Sequence, residues 1–327
     1  MNQKMRILIA YDGSSHADAA IDDLRRAGLP REAEAVVVSV ADVWASPVPP
    51  SGYETVQPPL DEQTRARAQW FSQQAAKALE EAEGLAHAAS QRALSYFPSW
   101  EVRTVVRSGS PAWELIRKAD EWQADLLVVG SQGRSALGRL FFGSVSQKVV
   151  TEARCSVRVA RGSVREPEAP VRVIIGIDGS GYSDAAANEV ARRPWPEGSV
   201  VKVISAVRLP FTPTEETRSL PDSYYSQLAK TETEKAQTAI TRAVARLQKG
   251  EANQSGIESE VILGDAREVI LDEAARWGAD LIVLGSRGLG GFKRFLLGSV
   301  AQGVASYAPC SVEIVRGRQI DGAVQET

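Results

Sequence analysis

Two cysteines and two histidines in 327 residues leave little material for redox or metal chemistry. Cys155 and Cys310 are far apart rather than in a C-x-x-C pair, which excludes a disulfide framework and a thiolate zinc site. His16 and His87 have no metal-ligand spacing either. No apolar run approaches the ~20 residues of a membrane-spanning helix, and Met1-Asn-Gln-Lys-Met-Arg passes into an apolar strand without a secretory core region. A cytoplasmic location is the expectation. The formal net charge is only −3, so no global positive field is available to hold nucleic acid or an anionic membrane.

What the sequence does contain, it contains twice. Gly130-Ser-Gln-Gly133 is followed after a nine-residue spacer by Gly143-Ser144, and Gly285-Ser-Arg-Gly288 after the same spacer by Gly298-Ser299. Each copy follows an apolar run, Leu126-Leu-Val-Val129 and Leu281-Ile-Val-Leu284, which reads as a buried strand ending at the first glycine. Asp125 to Gly162 aligns with Asp280 to Gly317 without a gap, and about half the positions are identical. Upstream, Arg6 to Asp12-Gly-Ser14 answers Arg172 to Asp178-Gly-Ser180. The chain therefore divides into two homologous domains, 1–162 and 171–317, with 163–170 as linker and 318–327 as tail.

In each half, strands and helices alternate, the pattern of a parallel sheet covered on both faces. The strands of the first half fall at Ile7–Ala10, Val36–Val40, Val102–Arg107, Leu126–Gly130 and Val157–Ala160. Those of the second fall at Val173–Ile177, Val200–Ser205, Glu258–Leu263, Leu281–Gly285 and Val312–Val315. Proline-rich connections follow the second strand of each half. They lead into long helices whose apolar stripes, Phe71, Ala75, Ala78, Ala82, Leu85 and Leu228, Ala236, Ile240, Val244, Leu247, are expected in the core.

In a doubly wound sheet of order 3-2-1-4-5, the ligand crevice lies beyond the carboxyl ends of strands one and four. Asp12 and Gly130 meet on that rim in one half, Asp178 and Gly285 in the other. Glycines at 130 and 133 would let backbone approach a sugar and phosphates. Gly143-Ser144 and Gly298-Ser299 open the last helices, whose free N–H groups suit a phosphate; simple helix capping by the serines is the bland alternative. The aspartates suit ribose hydroxyls or, equally, an Asx turn. Arg139 and Arg294 share one spacer position, where they would meet a terminal phosphate or only solvent. A P-loop is excluded, because the first spacer lacks the terminal Lys and Ser/Thr. Neither histidine has a counterpart in the other half, so no histidine base common to both exists. The acidic pairs Glu80-Glu81 and Asp272-Glu273 read as solvated helix faces.

The Asp-Gly-Ser turn, the run Gly278-Ala-Asp-Leu-Ile-Val-Leu-Gly-Ser-Arg-Gly288 and the G-x2-G-x9-G-[ST] spacing closely resemble the universal stress protein family in its tandem-domain form. The resemblance implies two tandem doubly wound, Rossmann-like α/β domains, each a five-stranded parallel sheet of order 3-2-1-4-5 with helices on both faces. It also implies ATP as ligand, with or without Mg2+, and a regulatory stress-response module rather than an enzyme. By that resemblance Asp12 contacts ribose, the Val40 backbone meets adenine, and Gly130, Gly133, Gly143, Ser144 and Val145 hold ribose and phosphates. Asp178, Ala206, Gly285, Gly288, Gly298, Ser299 and Val300 are the matching positions. A slow ATP-hydrolysing enzyme, and a nucleotide-free scaffold whose loops are filled by side chains such as Arg134 or Arg287, are the competing readings.

The family's edge further suggests that the halves pair antiparallel through Ser156–Ala160 and Ser311–Val315. A homodimer remains open as a further assembly. Alternation then puts Val157, Val159, Val312 and Ile314 on core faces and sets Arg158 across from Glu313, a pair worth about 0.2–1 kcal/mol. It also places the two cysteines at opposite ends of the ribbon, beyond disulfide reach.

Overall fold

A computed structural model describes residues 4–43, 61–133, 142–162, 169–208, 222–254, 256–289 and 297–317. In the first half the order is β1 (Met5–Ala10), α1 (Ser15–Asp23), β2 (Ala33–Ala41), α2 (Glu62–Tyr96), β3 (Glu101–Ser108), α3 (Pro111–Trp122), β4 (Leu126–Gly130), α4 (Ser144–Glu152) and β5 (Ser156–Ala160). The second half repeats it as β6 (Arg172–Gly176), α5 (Gly181–Ala191), β7 (Val200–Val207), α6 (Asp222–Lys249), β8 (Gly256–Leu263), α7 (Ala266–Trp277), β9 (Leu281–Gly285), α8 (Ser299–Tyr307) and β10 (Ser311–Val315). All ten strands form one sheet in the order β3-β2-β1-β4-β5-β10-β9-β6-β7-β8. Each half is thus parallel with the order 3-2-1-4-5, and β5 pairs antiparallel with β10.

Inner strands buried on both faces must be apolar almost throughout, and Ile7, Leu8 and Ile9 of β1 are fully buried. The edge strands β3 and β8 carry Glu101, Arg103, Glu258 and Glu260 on exposed positions, charges that discourage pairing with another chain. Ser14 and Ser180 cap α1 and α5, accepting from the N–H groups of Ala17 and Ser183 at 3.2 Å each. Three cores result. One lies under α1 and α2, around Ile9, Ile21 and Val128. A second lies under α5 and α6, around Ile175, Val190 and Leu247. The third runs across the junction beneath α3, α4, α7 and α8 and includes Val157, Val159, Val312 and Ile314. Full burial of each such aliphatic side chain contributes about 1.5–3 kcal/mol.

The stripe of α2 is core only in part. Ala82, Ala86, Ala89 and Ala93 are buried, but Phe71 is 58% exposed and stacks edge-on against exposed Trp70. A helix of 35 residues is roughly 50 Å long at 1.5 Å per residue. Residues 66–74 of its N-terminal part are exposed, although the same periodicity continues through them.

On the other face of the junction, the β5 and β10 side chains are charged and also buried. Glu313 stands opposite Arg158 in register and accepts from its Nη1 at 3.1 Å. Arg158 Nε reaches Asp23 at the end of α1 at 2.6 Å. Arg193, just after α5, donates to Glu313 at 2.5 Å and pairs with Glu189 at 3.0 Å. Charges therefore alternate along Asp23, Arg158, Glu313, Arg193 and Glu189. Arg158 and Glu313 are almost wholly inaccessible, so the figure for an exposed cross-strand pair does not describe this contact: buried ion pairs carry a large desolvation cost, and removing one partner strands the other's charge.

Candidate functional site

Both halves open a cavity at the carboxyl ends of their strands, where chain connections leave β1 and β4 in opposite directions. The first-half cavity is about 610 Å³ and is lined by Asp12, Val40, Gly130, Gly133, Ser144 and Val145. The second is about 500 Å³ and is lined by Asp178, Ala206, Gly285, Gly288, Gly298, Ser299 and Val300. Gly143 stands one residue outside, as the N-cap of α4. Volumes in this range suit a small organic ligand. Arg134, Arg139, Arg294, the proline-rich connections 44–59 and 209–213, linker residues 163–168 and the tail 318–327 lie outside the described residues.

The glycines act differently from one another. A Cβ built on Gly130 would lie 2.7 Å from the backbone oxygen of His16, and one on Gly285 would lie 2.6 Å from that of Tyr182. These two let α1 and α5 press against the strand ends, so their bareness serves helix packing rather than ligand approach. A Cβ on Gly133 would instead lie 2.9 Å from Oδ2 of Asp12, and one on Gly288 2.6 Å from Oδ2 of Asp178. The second glycine of each motif leaves room for the rim carboxylate.

Each aspartate forms the Asx turn that the Asp-Gly-Ser sequence allows: Oδ1 accepts from the N–H of Ser14 or Ser180 at 3.0 Å. In the second half Oδ2 also accepts from Leu289 N–H at 3.1 Å. The carboxylates are thereby held at the rim, facing the glycine loop.

Helix capping by Ser144 and Ser299 is not what the structure shows. Gly143 and Gly298 are the N-caps, without side-chain capping, and the serines occupy the first helical position. The N-caps are tied back to the loop, with Gly143 N–H donating to Ser131 O at 2.9 Å and Gly298 N–H to Ser286 O at 2.8 Å. Ser146 Oγ donates to Gly130 O at 2.6 Å, locking α4 to the end of β4. The first turns of α4 and α8 contain no acidic residue, whereas α1, α3, α5 and α7 carry Asp18, Glu114, Asp184 and Glu268 there. Uncompensated first-turn N–H groups and the helix dipole together favour an anion.

Sequence reasoning missed several wall residues. Asp42, Glu81, Ser110 and Lys148 line the first cavity, and Ala266, Ile270 and Arg287 line the second. Asp42 and Lys148 carried a signal, being two residues beyond Val40 and one helical turn beyond Ser144. Glu81, read as part of a solvated face, is exposed and also lines the cavity mouth. Lys148 Nζ lies 3.8 Å from the Trp113 ring centroid, and Arg287 donates to Tyr182 Oη at 3.1 Å. Among the described residues no group of three His, Cys, Asp or Glu side chains could hold a metal ion, and no helix is long and apolar enough to cross a membrane.

Two copies of one doubly wound unit, each with the same loop and rim aspartate, narrow the comparison. The sequence profile described as the Universal stress protein family matches residues 4–161 and again 171–316. The chain belongs to the universal stress protein family. A universal stress protein of Mycolicibacterium smegmatis is 28% identical over 321 residues, 95% of this chain and 97% of that one. A universal stress protein of Mycobacterium tuberculosis H37Rv is 31% identical over 210 residues, 59% of this chain; the match spans 62% of that relative's length. The crystal structure of a universal stress protein from Archaeoglobus fulgidus DSM 4304 covers 95% of this chain and 98% of its own at a TM-score of 0.61 and 18% identity, a likeness of fold. The tandem universal stress protein architecture is thus shared over nearly the whole chain.

Proposed function

We propose that this universal stress protein is an ATP-binding regulatory module, with one adenine nucleotide in each half and no dedicated catalytic apparatus. What carries the reading is the convergence, in each cavity, of a rim aspartate, two loop glycines and an acid-free helix N-terminus. In this reading Asp12 and Asp178 take ribose hydroxyls, and the backbones of Val40 and Ala206 meet adenine. Gly130, Gly133, Gly143, Ser144 and Val145, and Gly285, Gly288, Gly298, Ser299 and Val300, surround ribose and phosphates. The domains are 1–162 and 171–317, joined by 163–170, followed by a tail from 318 and paired within one chain through β5 and β10. The protein acts in the cytoplasm.

A Val side chain at Gly133 or Gly288 would collide with the rim carboxylate. Gly133→Val and Gly288→Val should each abolish one of two calorimetric binding sites, and mass spectrometry should find adenine nucleotide in material released from the unaltered protein. Two-site binding that survives in both variants would defeat the assignment. A nucleotide-free interaction protein draws support from the Leu289 N–H bond to Asp178, which gives that carboxylate a partner within the chain; finding no released nucleotide and no calorimetric binding would favour it.

A further inference from the structure

The two cavities are homologous in backbone but differ in charge: Asp12, Asp42, Glu81 and Lys148 line the first, Asp178 and Arg287 the second. β2 ends at Ala41 and is followed by Asp42; β7 ends at Val207 and is followed by Arg208. The buried alanines Ala82, Ala86 and Ala89 of α2 have the spacing of Ala236, Ile240 and Ala243 of α6. Glu81 therefore corresponds to Lys235. Arg92 and Arg246 confirm the register, because each reaches back to the equivalent aspartate, Asp18 or Asp184. In the glycine loops Gln132 corresponds to Arg287. One turn into the last helix Lys148 corresponds to Gly303, over which Arg267 of α7 is laid. The second half does have its own acids nearby: Asp265 lies 3.6 Å from Arg208, and Glu232 lies 2.8 Å from Lys235. By sequence the two spacers carry the same formal charge, Arg134 and Arg139 in one and Lys293 and Arg294 in the other.

Resting on the nucleotide reading above, we infer that the halves divide ligands by charge. The second half selects polyphosphorylated nucleotide, and the first accepts nucleoside or monophosphate nearly as well as triphosphate. Each added phosphate brings negative charge toward Arg287 in one cavity. In the other it meets neutral Gln132 and a wall bearing Asp42 and Glu81, with Lys148 as the opposing cation. A partly exposed wall is only partly screened, so such contrasts persist at low ionic strength and fade with salt.

The test uses the full chain without divalent cations, titrated with adenosine, AMP, ADP and ATP. With Gly133→Val, which leaves the second site, affinity should climb from AMP to ATP by about tenfold at low salt and lose most of that climb at high salt. With Gly288→Val, which leaves the first site, there should be little climb. On the unaltered background, Arg287→Gln should flatten the second site's preference. The exposed pair Asp42→Arg with Glu81→Lys should install the preference in the first, raising the number of tight ATP sites from one to two. Equal climbs at both sites, or no response to the exposed charge reversals, overturns the division by charge while leaving nucleotide binding intact. Absence of any adenine ligand in every variant and in the unaltered chain overturns both.

Discussion

Gly130 and Gly133, three positions apart, face different obstacles. The space missing at Gly130 is filled by helix backbone, which cannot move without displacing α1. At Gly133 the neighbour is the end of a carboxylate side chain. Gly130→Ala should therefore cost about 1–3 kcal/mol of stability as an overpacking change, while Gly133→Ala should leave the urea midpoint nearly unchanged. A midpoint that drops equally for both would show that the two positions share one role. The cysteines are as inert as their scarcity suggests: both are free, and burial pushes each thiol up to about 12. Thiolate is the reactive form, so iodoacetamide at pH 8 should leave Cys155 and Cys310 unmodified in the folded protein and label both in urea. Rapid labelling of native protein would contradict this.

Among the secondary-structure elements, the most consequential contacts are reciprocal helix caps across the junction. Arg161, after β5, donates to the Ala305, Ser306 and Ala308 carbonyls at the end of α8. Arg316, after β10, donates to Val150, Thr151 and Cys155 oxygens at the end of α4. Burial holds the Arg161 guanidinium below its ordinary value and takes Arg316 down to about 10, with Arg287 adding repulsion. Last-turn carbonyls and the negative helix end accept these cations. Hydrogen bonds to charged groups contribute about 1.5–3 kcal/mol, so Arg316→Met should destabilise by about that much and should loosen the two halves together. Hydrogen exchange at the end of α4, in the other half, should rise; unchanged exchange there would rule out a cross-half cap. The repeat alignment shows the two arginines as equivalent, but the partner helix belongs to the other half and no local pattern names it. The exposure of Trp70 and Phe71 in α2 was equally illegible, because helical periodicity is set by local spacing and burial by tertiary packing.

Across the whole molecule, the buried alternation from Asp23 to Glu189 governs how the halves meet. Burial alone would raise the Glu313 carboxyl, but the Arg193 and Arg158 guanidiniums outweigh it and hold it below the ordinary glutamate range. A carboxyl depressed in the folded state contributes stability that is fully present above its unfolded value of about 4.3 and is lost as pH falls through the lower folded value. Glu313→Gln should be less stable at neutral pH by about 3–5 kcal/mol, the cost of stranding buried charge. Its urea midpoint should also fall less steeply than the parent's between pH 4 and pH 2. Parallel acid limbs would exclude Glu313 as the titrating group. A protease site placed in the linker tests the pairing itself: after cleavage the halves should co-elute, and Glu313→Arg should release them. Separation of the cleaved parent would refute the pairing.

The fold class and the twofold repeat were legible in the sequence, the strand order came with the family resemblance, and the rim aspartates, loop glycines and helix-start serines are the part of the cavity lining that was read in advance. Apolar runs, strand and helix periods and the repeated glycine spacing are short-range properties, and a doubly wound sheet gives them one natural place to meet. The pairing of β5 with β10 was expected from family likeness and the Arg158–Glu313 register, but its burial was not. Only the tertiary structure decided that the space a Cβ at Gly130 would need is taken by the α1 backbone, that Arg193 joins Glu313, and that Asp42, Glu81 and Lys148 share a wall. Those contacts join residues from different elements or different halves, and long-range packing rather than local sequence brings them within reach.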